Sequence, residues 1–290
     1  MIKTDNAVIM AAGTSSRFAP LSFEMPKALI TVKGEVLIER QIRQLREAGI
    51  NDIYIVTGYK AEMFAYLEEK FGVKLVHNPD YLTRNNNASI NVVRDILKNT
   101  YICSADNYFS ENPFEAEVSE CYYSAVYADG ETKEWCMETN DDGLITNVTV
   151  GGRDAWYMLG HTFWDEEFSR KFTEILTAEY DLPETADMLW ESIYLNHIGE
   201  LKMNIRKYSD DVVFEFDTLD ELRVFDESYV TDTRSVLLKD CAKQLGCEER
   251  DIVNVTAYKD STNAAAGFSF TVGEAKYKYS YEEKKLWREN

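Results

Sequence analysis

Between residues 7 and 106 short apolar runs alternate with stretches of helical period, and this alternation limits the fold more than any other feature. "AVIMAA" reads as a buried strand and "EVLIERQIRQLREAG" as an amphipathic helix closed by Gly49. "DIYIVTG" is a second strand, followed by a helix over "KAEMFAYLEEKFG". "VKLVHN" is a third, followed by a helix over "NASINVVRDILKN", and "TYICSAD" is a fourth that ends in Asp106. Such alternation predicts an α/β fold, a parallel sheet with helices on both faces. Ligands of these sheets bind beyond the carboxyl ends of the strands. Three features fall there: the loop after Ala12, "TGY" at 57–59, and Asp106.

Beyond residue 115 the pattern changes. "CYYSAVYA", "EWCMET" and "LITNVTV" predict antiparallel strands with a hairpin turn at 141–143, and "EEFSRKFTEILTAEY" and "ETADMLWESIYLNHI" predict helices. From 231 onward "DTRSVLLKDCAKQLG" predicts a helix ended by Gly246, and "DIVNVTAY", "GFSFTV" and "KYKYSY" predict three strands. The organisation expected is a main domain over 1–229 and a small C-terminal α+β appendage over 230–290.

Acidic side chains outnumber basic ones 51 to 31, a net charge of −20. Nucleic acid and anionic lipid are therefore poor partners, since both need basic patches. A chain this acidic that handles phosphates must gather positive charge locally or recruit a divalent cation. No apolar run reaches spanning length, and "MIKTDNAVIMAAG" lacks the apolar core of a signal peptide, so a cytoplasmic protein is expected. With three histidines and five cysteines that form no CxxC pair, no zinc site is expected, and Cys103, Cys121 and Cys136 read as buried thiols.

In the loop after the first strand, Gly13 lets the backbone turn sharply, and Thr14, Ser15 and Ser16 offer N–H groups and hydroxyls able to hold phosphate oxygens. Arg17 adds a planar fork of donors, and Lys27, behind the rigid Pro26, adds a point charge. P-loop spacing and GxGxxG are both absent. Taken alone, the loop suits an ordinary connection between a strand and a helix, with surface basic residues, better than a phosphate site.

The linked motifs "AAGTSSRFAP", "MPKAL" and "GEVLIERQI" resemble the nucleotidyltransferase signature of sugar-nucleotide pyrophosphorylases and their relatives. The resemblance implies the nucleotidyltransferase fold, a Rossmann-like, mixed but mainly parallel sheet. It also implies a loop of Ala11, Ala12, Gly13, Thr14, Ser15 and Ser16 around a nucleoside triphosphate, with Arg17 and Lys27 steadying its phosphates. "GYKAEMFAYLEEKFGVKLVHNPDY", "NNNASINVV", "SADNYF", "KEWCMETNDDG", "MLWESIY" and "VFEFDTLDEL" narrow the resemblance to the bacterial CTP:phosphocholine cytidylyltransferases, through about residue 225. This implies a cytosine site of Gly58, Tyr59, Asn85, Asn86, Ser89 and Ala105, and a Mg²⁺ held by Asp106 and Asp217. The implied reaction is attack of a substrate phosphate on the α-phosphorus of CTP, with pyrophosphate leaving in line.

A quaternary ammonium is best held by aromatic faces and a nearby carboxylate. Trp135, Trp190 and Glu191 match the family's choline pocket, with Glu191 in place of an aspartate, and Tyr157 and Tyr194 are further candidates. Phosphoethanolamine and 2-aminoethylphosphonate are alternative acceptors, and a catalytically silent nucleotide-binding regulator is a third reading. Retention of Arg17, Lys27, Asp106 and Asp217 together weighs against the last. The tail "VTAYKDSTNAAAGFSFTVGEAKYKYSY" resembles the opening of a choline-kinase-like lobe but stops before any kinase catalytic loop. A packing or homodimerising appendage is expected there instead.

Overall fold

The structure, a computed structural model, describes residues 1–260 and 265–289. Its contacts divide the chain into two units, Met1–Gly13 with Ile38–Glu215, and Thr14–Leu37 with Phe216–Asn290. Where the sequence suggests one cut near 229, the contacts also group the segment 14–37 with the C-terminal part.

The first unit is built on a seven-stranded sheet: β1 (Asn6–Ala11), β2 (Ile53–Thr57), β3 (Lys74–His77), β4 (Thr100–Ser104), β5 (Tyr122–Thr139), β6 (Ile145–Trp164) and β7 (Asn204–Lys207). The strand order is β7-β5-β6-β4-β1-β2-β3. Pairings β4-β1, β1-β2, β2-β3 and β5-β7 are parallel, and β6 runs antiparallel to both its neighbours. This is the mixed, mainly parallel sheet expected. β1 has Ala7, Val8 and Ile9 fully buried, as a central strand covered on both faces requires.

Helix α1 (Leu37–Glu47) buries Leu37, Ile38, Ile42 and Leu45 at helical spacing. Its Gln41 and Gln44 are buried too, and they donate to the carbonyls of Ser104, Asn107, Phe109 and Glu111, which fixes the turn after β4. Three expected helices are shorter in the structure: α2 (Tyr66–Phe71), α3 (Asn87–Asn91) and α5 (Trp190–Asn196), whereas α4 (Glu166–Glu179) is full length. The cause at α5 is specific. Asn85 and Asn87 side-chain amides donate to the carbonyls of Thr185, Asp187 and Met188, and the Asn85 amide donates to Ala186. These bonds tie 185–188 to the Asn85–Asn87 turn, and the helix begins only at Trp190. The three strands expected after 115 are two long ones, β5 and β6, kinked by bulges and joined by a turn with Gly143 at φ +81°.

In the second unit, α6 (Leu219–Phe225) and α7 (Val236–Leu245) accompany an antiparallel sheet of four strands, β8 (Ile252–Lys259), β9 (Ala265–Val272), β10 (Ala275–Ser280) and β11 (Lys285–Arg288), one more than expected. Phe268 stacks against Phe270 and Tyr279, and Leu238 and Cys241 of α7 are likewise buried.

The parallel strand ends of the first unit are laced together: Tyr59 N–H donates to Ala12 C=O at 3.0 Å and Ala105 N–H to Met10 C=O at 3.1 Å. This closeness needs Gly58, where a Cβ would lie 2.7 Å from Tyr81 Cβ and 2.8 Å from the Ala12 carbonyl oxygen. Gly58→Ala should cost about 1–3 kcal/mol of stability, the usual range for overpacking, read as a lowered urea midpoint at unchanged m-value.

Candidate active site

The residues singled out from sequence fall in both units. In the first unit Ala11, Ala12 and Gly13 leave the end of β1, Gly58 and Tyr59 leave β2, and Ala105 and Asp106 leave β4. Ala11, Ala12 and Ala105 are buried, so they shape the strand ends through backbone and small size. Asn85 and Asn86 open α3. Besides holding the 185–189 segment, they reach the neighbouring carboxylate: Asn86 Nδ2 donates to Glu191 Oε2 at 3.2 Å while its Oδ1 accepts from Trp190 N–H at 2.7 Å. Ser89 is buried, and its hydroxyl accepts from Asn78 Nδ2 at 3.2 Å. It is therefore fixed inside rather than presented to a base.

Glu191 is the chemically distinctive group of this unit. Its other oxygen, Oε1, accepts from the Tyr123 hydroxyl at 3.3 Å. Burial pushes its carboxyl up to about 7, although the hydrogen bonds from Asn86 and Tyr123 pull the other way. Tyr123 stacks on Trp190 with ring centroids 5.8 Å apart and 19° between planes. Trp190 itself is 1 % exposed and packs edge-on against Trp164 and Phe172. Tyr194, fully buried, lies against Phe168. Both differ from the expectation of ligand-facing rings. Both are core residues, and Trp190 packs under Tyr123. Trp135 and Tyr157, on β5 and β6, remain half-buried. The Tyr157 hydroxyl is pushed up by burial and by the nearby charges of Glu134, Glu215 and Asp210.

The second unit holds Thr14, Ser15, Ser16, Arg17, Lys27 and Asp217. Ser15 takes the left-handed conformation at φ +47°, and its carbonyl accepts from Phe18 N–H, closing the turn that carries Arg17. The Arg17 guanidinium pairs with Asp217, an exposed bridge with the side chains 76 % and 37 % accessible. Asp217 precedes a capping box in which Thr218 accepts from Glu221 N–H and the Glu221 carboxylate accepts from Asp217 and Thr218 N–H. That double lock fixes the start of α6 and the backbone at Asp217. Lys27 is 3 % exposed, with its ammonium 5.6 Å from the Phe18 ring centre.

A family profile, the MobA-like NTP transferase domain, matches residues 7–114. The choline-phosphate cytidylyltransferase of Streptococcus pneumoniae is 35% identical over 221 residues, which cover 76% of this chain and 96% of that protein. The chain belongs to the choline-phosphate cytidylyltransferase family. A solved structure of the CTP:phosphocholine cytidylyltransferase from Streptococcus pneumoniae shares the fold with a TM-score of 0.75 at 35% identity, covering 78% of this chain and 99% of that one. The 2-aminoethylphosphonate cytidylyltransferase of Lancefieldella rimae is 36% identical over 235 residues, 79% of this chain and 95% of that protein.

In this family member three polar residues near the site escaped the sequence reading. Tyr123 sits in the strand "CYYSAVYA", where alternation placed an inward position but not its carboxylate partner. Glu215, two residues before Asp217, accepts from Asn107 Nδ2 at 3.2 Å, so a further carboxylate meets the turn that carries Asp106. The spacing "EFD" was the available signal for Glu215, and "AD" followed by asparagine for Asn107.

The raised carboxyl gives a pH prediction. Folded Glu191 holds its proton more tightly than an unfolded glutamate near 4.5, so it costs stability as pH climbs from there toward 7. It offers a full countercharge to a cation only above about 7. KM for a cationic acceptor should fall as pH rises through that value, and Glu191→Gln should flatten the dependence. An unchanged profile in the variant would remove Glu191 from acceptor binding.

Proposed function

We propose that this chain transfers CMP from CTP to phosphocholine, forming CDP-choline and releasing pyrophosphate. The observation that carries the acceptor is Glu191, a carboxylate anchored by Asn86 and Tyr123 beside aromatic rings, which suits a substrate that joins a phosphate to a cation. A phosphate oxygen of the acceptor bonds to the α-phosphorus of CTP as the bond to the pyrophosphate oxygen breaks on the opposite side. The chain supplies positioning and charge rather than a nucleophile of its own. In this reading Thr14, Ser15 and Ser16 cradle the triphosphate, and Arg17 and Lys27 neutralise the charge that gathers on the departing pyrophosphate. Gly58, Tyr59, Asn85, Asn86 and the strand end at Ala105 shape the cytosine site.

Nucleotidyltransferases of this family generally use a divalent metal, and we assign Mg²⁺ with Asp106 and Asp217 as its protein ligands. The donor chemistry fits, since both are hard carboxylate oxygens. Mg²⁺ takes one or two carboxylates and completes its shell with water and substrate phosphates, so two suffice. When bound, such an ion offsets charge at the α-phosphate.

A second reading takes 2-aminoethylphosphonate or phosphoethanolamine as acceptor. The interior position of Trp190 and Tyr194 favours it, because fewer aromatic faces are left to enclose a quaternary ammonium. Pyrophosphate release from CTP with each of the three acceptors decides between them. The highest kcat/KM is expected for phosphocholine. A primary amine leading by tenfold would transfer the assignment to the second reading, and no CMP transfer to any of them would overturn both.

For the metal, chelation should stop turnover and added Mg²⁺ restore it. Asp106→Ala or Asp217→Ala should each lower kcat by at least ~10²-fold, the scale on which transition-state charge stabilisation is lost. Near-normal turnover in either variant would sink that ligand assignment.

A further inference from the structure

The match to the Streptococcus pneumoniae relative covers 96% of that protein but 76% of this chain, so about a quarter of the chain has no counterpart there. Inside the second unit the C-terminal segment is bonded to the loop that carries Arg17 and Lys27. Glu24 lies three residues before Lys27, with the rigid Pro26 between them. Its carboxylate accepts from Val236 N–H at 2.9 Å, from Leu237 N–H at 3.1 Å and from the Ser235 hydroxyl. Ser235 is itself the N-cap of α7, accepting from Leu238 N–H. One carboxylate thus satisfies two of the free N–H groups that every helix start leaves, at the end of the helix where negative charge is favoured.

Other contacts act alongside it. Phe23 stacks on Tyr281 with centroids 3.7 Å apart and planes 7° from parallel. The turn Ser16–Phe18 lies beside β8. The helix behind Asp217 is fastened as well: Arg223 of α6, 8 % exposed, donates to the carbonyls of Tyr229, Glu249 and Ile252, and Asp220 accepts from Asn254 N–H.

We propose that the C-terminal segment braces the phosphate-binding loop, with Glu24 as the positioning residue that fixes Lys27 through α7. The proposal rests on the reading that Arg17 and Lys27 hold the triphosphate. Glu24 touches no substrate in it; the segment's work is to remove freedom from a loop that must hold a polyanion in one geometry.

The test uses the full chain with Glu24→Ala, Glu24→Gln and, from the other side of the contact, Tyr281→Ala, assayed by pyrophosphate release with CTP and acceptor varied separately. Glu24→Ala should lower kcat/KM for CTP by roughly tenfold, short of the ~10²-fold that a fully misplaced group costs. The acceptor KM should stay within about twofold, because its site lies on other elements. Glu24→Gln keeps an oxygen acceptor and should recover part of the loss, and Tyr281→Ala should lower the same CTP parameter. If both alanine variants lose activity only in proportion to their folded fraction, or lose CTP and acceptor parameters equally, the segment is a structural appendage and the proposal falls. Lys27→Ala in the same assay separates the two ideas. Full CTP turnover there overturns the clamp and the brace together, whereas its loss beside normal Glu24→Ala and Tyr281→Ala enzymes overturns the brace alone.

Discussion

The parallel pairing of β4, β1 and β2 is the constraint on which the first unit depends. Side-by-side parallel strands deliver their carboxyl ends to one edge, and the register sets Met10 beside Ser104 and Ala11 beside Thr57. The start of the loop after Ala12, the Gly58–Tyr59 corner and the Asp106 turn are therefore neighbours by construction. Two backbone hydrogen bonds close the edge, and α1 secures it from the side through Gln41, which is bonded to both Ser104 and Asn107. A change in the register of any one strand would move a different part of the site.

Polar side chains do for the irregular segments what strand ladders do for the sheet. Asn85, Asn86 and Asn87 occupy backbone groups of 185–190, and the buried Arg223 occupies three carbonyls of the second unit. A buried backbone carbonyl without a partner costs about as much as a lost hydrogen bond, so these residues hold loop geometry by removing alternatives. The same bonds explain Glu191. Its carboxylate tolerates its position because Asn86, already fixed by Trp190 N–H, points an amide at it.

How much was legible in the sequence follows from what kind of fact each feature is. The strand–helix alternation, the loop after Ala12 and the residues at strand ends are local patterns, and local patterns survive in one dimension. The start of α5 was misjudged because the asparagines that hold the segment before it lie about a hundred positions away. Trp190 and Tyr194 show a signal that was present but read for the wrong property. With Ile193 they occupy positions i, i+3 and i+4 of α5, one apolar face, and such a face turns inward as a unit. Glu191 lies off that face, at its margin, where a carboxylate can meet Tyr123. Residue type suggested a cage; helical phase decides which rings can take part.

Charge imposes the remaining condition on a protein of net charge −20 that must receive a polyanion. Arg17 is paired with Asp217, and both side chains are open to solvent. An exposed pair of this kind is worth about 0–1 kcal/mol, since water screens the attraction and two side chains lose freedom to make it. If Arg17 holds the triphosphate as proposed, opening this pair is a small penalty, since phosphate offers it a bidentate partner of higher charge. Under the proposed assignment the same exchange would free the Asp217 carboxylate, whose backbone is held by the capping box at Thr218 and Glu221. One weak bridge thus pairs a cation and an anion in the free protein, and under the assignment proposed above phosphate would be the better partner for the one and a divalent ion for the other.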